Sequence, residues 1–111
     1  MLLAVDIGNT DTTLGVFDDK ELRATWHMAT SIHRMADEYA ALLFNLLHHE
    51  GLDPSDIKDI ALCSVVPPLV TIFEELSQRY FHLAPLVVGL ELGLGYAFVW
   101  IIPKRLVPTV L

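Results

Sequence analysis

The chain has 111 residues, 53% of them hydrophobic and 19% charged, the size of one domain or a piece of one and apolar enough to bury a core without staples. That composition excludes intrinsic disorder, a collagen-like repeat and a coiled coil. Seven basic against fourteen acidic residues give a formal charge of -7, which repels a phosphate backbone and excludes a nucleic-acid binder, while an anionic small ligand stays open where backbone amides or a metal ion meet it. Cys63 is the only cysteine, so an internal disulfide and a cysteine zinc site are both impossible, in keeping with a reducing cytoplasm. Only five apolar residues precede Asp6, without a basic flank, and no signal peptide is expected. Leu83 to Pro103 carries Glu91 as its sole charge and is long enough to cross a bilayer, although Glu91 and the glycines at 89, 93 and 95 weaken that reading.

In chain order, Met1–Val5 is a short apolar run that enters the polar cluster Asp6 to Thr12. Thr13–Phe17 is β-branched and aromatic, Asp18-Asp19-Lys20 is turn chemistry, and Glu21–Met28 alternates with Leu22, Ala24, Trp26 and Met28 on one face. Three short strands with tight connections predict an antiparallel meander. After Thr30–Arg34 the period becomes helical: Met35, Tyr39, Leu42, Leu43, Leu46 and Leu47 form one stripe, Asp37 and Glu38 suit the first turn, and Gly51 suits the residue past the end. Asp53 to Asp56 opens a short capped turn, and Ile60–Val66 reads as a strand buried on both faces. Pro67-Pro68 ends it and starts a helix marked by Leu69, Ile72, Phe73, Leu76 and Tyr80, and Pro85–Val88 reads as one more buried strand. The order β-β-β-α-β-α-β predicts an α/β domain, a mixed sheet with helices packed against it.

The chemistry concentrates in Asp6-Ile7-Gly8-Asn9-Thr10-Asp11-Thr12-Thr13. A carboxylate ends a buried strand, a glycine permits close approach of a ligand to the backbone, and Thr10, Thr12 and Thr13 offer hydroxyl donors. Successive N–H groups in such a bend form an anion-binding concavity, and a carboxylate beside it suits a hydrated Mg²⁺. An ordinary hairpin whose Asp and Asn cap their own backbone fits the same residues. The other candidates are weaker. His48-His49-Glu50 looks metal-like, but consecutive helical residues project about 100° apart, and a solvated helix end is the better reading. Cys63 reads as a core residue, and His33-Arg34 as a surface loop, a phosphate contact or a contact with a second subunit.

Asp6-Ile7-Gly8-Asn9-Thr10 after Met1–Val5, then Gly15-Val16-Phe17, resembles the opening of type III pantothenate kinases, members of the acetate and sugar kinase, heat-shock chaperone and actin superfamily. His33-Arg34 before Ala36-Asp37-Glu38-Tyr39, Ser64-Val65-Val66-Pro67-Pro68-Leu69, and Pro85-Leu86-Val87-Val88-Gly89 are similar to further blocks of that family at matching spacing. The resemblance covers residues 1–89, about the first third of such an enzyme. It implies a ribonuclease H-like, actin-like N-terminal domain over 1–89, incomplete here, and ATP-dependent phosphorylation of pantothenate to 4′-phosphopantothenate, the first step toward coenzyme A. It further implies a cytoplasmic homodimer that needs Mg²⁺ and a monovalent cation, K⁺ or NH₄⁺. Asp6 to Thr13 would be the ATP phosphate loop, with Asp6 on the metal or its water. Asp11 departs from the asparagine more usual there; its carboxylate either adds negative charge beside the phosphates or points to solvent.

Residues 90–111 are unlike the family, which continues with a glycine-rich pantothenate loop and an aspartate-asparagine-proline turn before a glycine-alanine-aspartate-arginine motif holding the general base. Trp100 is encoded only by TGG and Ile101 begins with AT, so the frame starting at the last base of Trp100 reads aspartate. Extended with permitted codons, that frame continues asparagine-proline-x-glutamate-valine-glycine-alanine-aspartate-arginine-isoleucine. The tail is therefore expected to be an out-of-frame translation from near Gly89 or Leu90, which removes the membrane reading and leaves a phosphate loop without its base. Two other functions fit the residues: a non-catalytic nucleotide-binding or interaction module, and a small membrane-anchored protein.

Overall fold

The computed structural model describes residues 1–19 and 21–87; the expectations for residues 90–111, for the membrane-like stretch beyond Val87 and for Val88 fall outside them. The elements run β1 (Leu2–Ile7), β2 (Asp11–Asp18), β3 (Glu21–Ala29), α1 (Ala36–His49), a 3₁₀ turn (Pro54–Asp56), β4 (Asp59–Ser64), α2 (Pro67–Phe81) and β5 (Leu86–Val87). Together the strands form one mixed sheet in the order β3-β2-β1-β4-β5. β2 pairs antiparallel with β1 and β3, whereas β4 pairs parallel with β1 and β5. The expected meander, crossover helices and α/β layering are all present.

The core follows from strand alternation. Leu3, Val5 and Ile7 of β1, Leu14 and Val16 of β2, and Ile60 and Leu62 of β4 share one sheet face, against Tyr39, Leu43 and Leu47 of α1 and Leu69, Phe73 and Leu76 of α2. Tyr39 and Phe73 join the helices at a centroid distance of 4.9 Å, and Phe44 meets Phe81 edge-on at 5.5 Å. At the surface, Asp37 accepts from the Tyr80 hydroxyl and lies 3.1 Å from the Arg79 guanidinium, tying the start of α1 to the end of α2. A smaller cluster of Ala4, Phe17, Leu2 and Leu22 occupies the opposite face.

Local rules set the boundaries. The Glu38 carboxylate accepts from the Met35 N–H at 2.9 Å, closing the first turn of α1. Gly51 takes φ 73°, with its own N–H on the His48 carbonyl and that of Leu52 on the Leu47 carbonyl, the helix stop expected of a glycine there. Asp53 and Asp56 cap the 3₁₀ turn reciprocally: Asp53 accepts from the Ser55 N–H and Asp56 from the Asp53 N–H, each at 2.9 Å. Ser64 ends β4 two residues before the expected limit, because its hydroxyl captures the Val66 N–H at 2.8 Å.

Three expectations are corrected. Val16 pairs with Ala24 but Phe17 with Leu22, so Arg23 forms a bulge and Leu22 moves to the face opposite Trp26 and Met28. In α1 the stripe is Ala36, Tyr39, Ala40, Leu43 and Leu47; Met35, on the residue preceding the helix, is 63% exposed and Leu42 is 38% exposed. β5 lies at the edge of the described sheet with Leu86 56% and Val87 40% exposed, not buried as an inner strand. Leu43→Ala should therefore cost about 2–5 kcal/mol in denaturant unfolding. Leu42→Ala should cost about 1 kcal/mol or less, since its side chain keeps much of its exposure.

Candidate functional site

β1 runs between an antiparallel and a parallel neighbour, so the turn 8–10, the link 30–35 and the corner 65–68 all lie at the edge where β1 and β4 end. Open α/β sheets bind ligands at such an edge. Ile7 is the last residue of β1 and pairs with Thr12. Beyond it the Gly8 N–H donates to the Asp11 carbonyl at 2.9 Å, and a Cβ on Gly8 would sit 3.0 Å from that oxygen. Glycine is required here for closeness; its φ is not in the left-handed region.

Asn9 and Thr10 follow, both exposed, and among the described residues their N–H groups make no hydrogen bond. Two adjacent unpaired amides at the tip of a closed turn are the donors an anion needs. Asp11 is also exposed and opens β2 opposite Ala29.

The side chains split by parity. Asp6 projects from the face away from the helices, level with Thr13 on β2 and Cys63 on β4, and Thr13 Oγ1 lies 3.3 Å from His27 Nδ1. Thr12 points the other way. It is 0% exposed, and its hydroxyl is bonded to that of Thr30 at 2.7 Å. The expectation of Thr12 as a free hydroxyl donor is corrected: it shares a face with Leu14 and Val16, and its polar group is satisfied internally. Thr10 and Thr13 stay on the accessible side.

Asp6 is half-buried, and burial raises its carboxyl above the ordinary range. Burial first, then the Asp6 charge, pushes the Cys63 thiol up, which keeps it protonated and fits the expected core role. Arg34 turns inward: it donates to the Ala29 carbonyl at 2.9 Å and lies 5.4 Å from the centre of the Tyr39 ring. His33 is exposed, and so are His48 and His49 at the end of α1. Among the described residues no three His, Cys, Asp or Glu side chains converge to hold a metal. Nor is any helix long and apolar enough to cross a membrane. An open cavity of about 480 Å³ lined by Asp53, Lys58, Tyr80 and His82 includes no residue of the 6–13 segment.

Thr30 lies in no motif, and Tyr39, which does, reads from sequence only as a core residue of the helix; the parity of Thr12 with Leu14 nonetheless marks Thr12 as inward and so in need of a partner. For Asp6, the raised carboxyl makes the folded chain the stronger proton binder between the ordinary carboxylate value of about 4 and the raised one. Stability therefore falls as pH rises through that window and stays lower above it. Asp6→Asn should raise the melting temperature at pH 7 by a small amount, since the half-exposed group is screened. The gain should vanish on acidification below about pH 4 in parallel thermal melts.

The family model for type III pantothenate kinase matches residues 2–98, nine residues beyond the Gly89 limit of the motif resemblance. A type III pantothenate kinase of Dehalococcoides mccartyi strain 195 is 51% identical over 94 residues, covering 85% of this chain and 36% of that protein. The corresponding protein of strain BAV1 is 49% identical over the same length and shares. The chain thus spans about a third of the length of these relatives. Among solved structures, a protein assigned as an N-acetylglucosamine kinase from Porphyromonas gingivalis superposes with a TM-score of 0.57 at 18% identity, covering 79% of this chain and 33% of that one. That likeness concerns the fold alone, a mixed five-stranded sheet with two helices. With the family model spanning most of its length and half of the aligned residues identical to these kinases, the chain belongs to the type III pantothenate kinase family, as an N-terminal segment.

Proposed function

We propose that this chain is the phosphate-holding part of an enzyme that transfers the terminal phosphoryl group of ATP to pantothenate, giving 4′-phosphopantothenate on the way to coenzyme A. The observation that carries the reading is the pair of N–H groups at Asn9 and Thr10, without a partner among the described residues, in the turn that follows β1 at the carboxyl ends of β1 and β4, the strand β1 itself carrying the half-buried Asp6. Family membership supplies the reaction class.

Within Asp6–Thr13 the roles divide. Ile7 and Thr12 anchor the turn in the sheet, and Gly8 and Asp11 close it. Asn9 and Thr10 N–H groups meet phosphate oxygens, with the Thr10 and Thr13 hydroxyls as further donors. Asp6 would hold Mg²⁺ or one of its waters. The donor set fits that ion: Mg²⁺ keeps several waters and takes one or two carboxylates beside substrate phosphates. A carboxylate raised by burial and without an ion-pair partner among the described residues gains from a cation alongside. Bound there, Mg²⁺ supplies neutralisation of the phosphate charge. Asp11 adds a second negative charge at the turn, so nucleotide binding should depend strongly on that ion. The monovalent cation and the homodimer implied by the resemblance belong to this proposal as well.

Phosphoryl transfer draws its rate from positioning and electrostatics. Residues 90–111 contain no aspartate, and the role proposed for residues 1–89 is to hold phosphate rather than to supply the general base.

Titration with Mg-ATP should raise the melting temperature and move the Asn9 and Thr10 amide resonances, and an assay of pantothenate phosphorylation by this chain should stay at background. Omitting Mg²⁺, or replacing Gly8 with Ala, should weaken binding by about tenfold, the equivalent of one good hydrogen bond. A chain that ignores ATP both with and without Mg²⁺ refutes the proposal.

A further inference from the structure

Thr30 belongs to none of the motifs, yet several contacts converge on it. Its N–H donates to the Thr10 carbonyl at 2.8 Å, and its Oγ1 lies 2.7 Å from Thr12 Oγ1. The next residue, Ser31, is held at both main-chain groups by the Tyr39 hydroxyl, which accepts from its N–H at 3.0 Å and donates to its carbonyl at 2.8 Å. Tyr39 is 1% exposed and packs against Phe73 in the core between the helices. Hydrogen bonds at Thr30, the peptide link from Thr30 to Ser31 and hydrogen bonds at Ser31 therefore join the turn to a side chain of α1 packed in the core.

The bond between Gly8 and Asp11 is local. It sets the curvature of the turn but not its tilt relative to the helices. The contacts through Thr30 do set that tilt: its N–H continues the antiparallel pairing of Asp11 with Ala29 by one more rung, its hydroxyl meets Thr12 on the helix side, and neither uses the N–H groups of Asn9 and Thr10. The paired hydroxyls point the same way. A Val–Val pair would fill the same space in this apolar cluster without polar groups to satisfy, so packing alone does not call for two hydroxyls there. We infer that Thr30 is a positioning residue that holds the phosphate turn in its binding geometry through the Thr10 carbonyl and the Thr12 hydroxyl. The inference rests on the function proposed above only for what the turn binds.

Three variants test it: Thr30→Val, Thr30→Ser and the double variant Thr12→Val with Thr30→Val. Each is read by melting temperature, by residue-resolved amide exchange at Gly8 and Thr30 with the core amide of Leu62 as control, and by Mg-ATP affinity. Thr30→Val strands the buried Thr12 hydroxyl and should lower the melting temperature, whereas the double variant removes both polar groups and should recover it. In the double variant the Gly8 and Thr30 amides should nonetheless exchange about tenfold faster, with Leu62 unchanged, and Mg-ATP should bind about tenfold more weakly. Thr30→Ser keeps the hydroxyl and should match the parent chain in all three. Wild-type protection at Gly8 and Thr30 in the double variant, or faster exchange there with unchanged Mg-ATP affinity, overturns the inference. If the parent chain itself takes no Mg-ATP, the proposed function fails, and exchange in the double variant alone decides whether Thr30 holds the turn.

Discussion

The Gly8 N–H reaches the Asp11 carbonyl at 2.9 Å, and that one bond governs what the rest of the edge can do. By closing the turn it uses the Gly8 donor, while the next two, on the exposed residues Asn9 and Thr10, have no partner among the described residues. Closure is tight enough that even a methyl group would press on the acceptor, so the residue type and the geometry are one constraint. β1 lies between β2 and β4, and the turn follows directly on this strand, which carries Asp6.

Under the proposed function, a chain this acidic would have to suit a polyanion. Its formal charge of -7 offers no long-range attraction, so affinity has to come from short-range donors and from a cation. In the function proposed here, the main-chain N–H groups of Asn9 and Thr10 would supply the first, and the desolvated carboxylate of Asp6 would favour holding the second. The arrangement carries its own penalty: a half-buried carboxylate is a mild strain on the folded state that a bound cation relieves. Asp6 thus links stability to the chemistry proposed for the edge.

Much of this was legible in the residues. Periodicity separated the meander from the helices, Gly51 and Pro67 marked a stop and a start, and the Asp6–Thr13 segment placed a carboxylate and open amides at one strand end. What the pattern missed has physical causes. A single bulge at Arg23 reversed the parity of Leu22, and no local signal announces a bulge. Met35 and Leu42 lie beside the apolar stripe of α1 but face outward, because the small Ala36 and Ala40 take the close-packed positions on the inner side. Leu86 and Val87 look like a core strand by composition, while their burial depends on which neighbours flank β5. Thr12 was grouped with the donors because it lies in the motif; its alternation with Leu14 and Val16 already placed it inside. Its partner Thr30 is 18 residues away, a contact that no local pattern records.

A crystal structure of this chain with Mg²⁺ and a non-hydrolysable ATP analogue tests the central claim most directly. Phosphate oxygens should lie about 2.7–3.2 Å from the Asn9 and Thr10 nitrogens, with Mg²⁺ joined to the Asp6 carboxylate directly or through water. A nucleotide seated elsewhere, for instance in the cavity beside Lys58 and Tyr80, with the turn untouched, would contradict it.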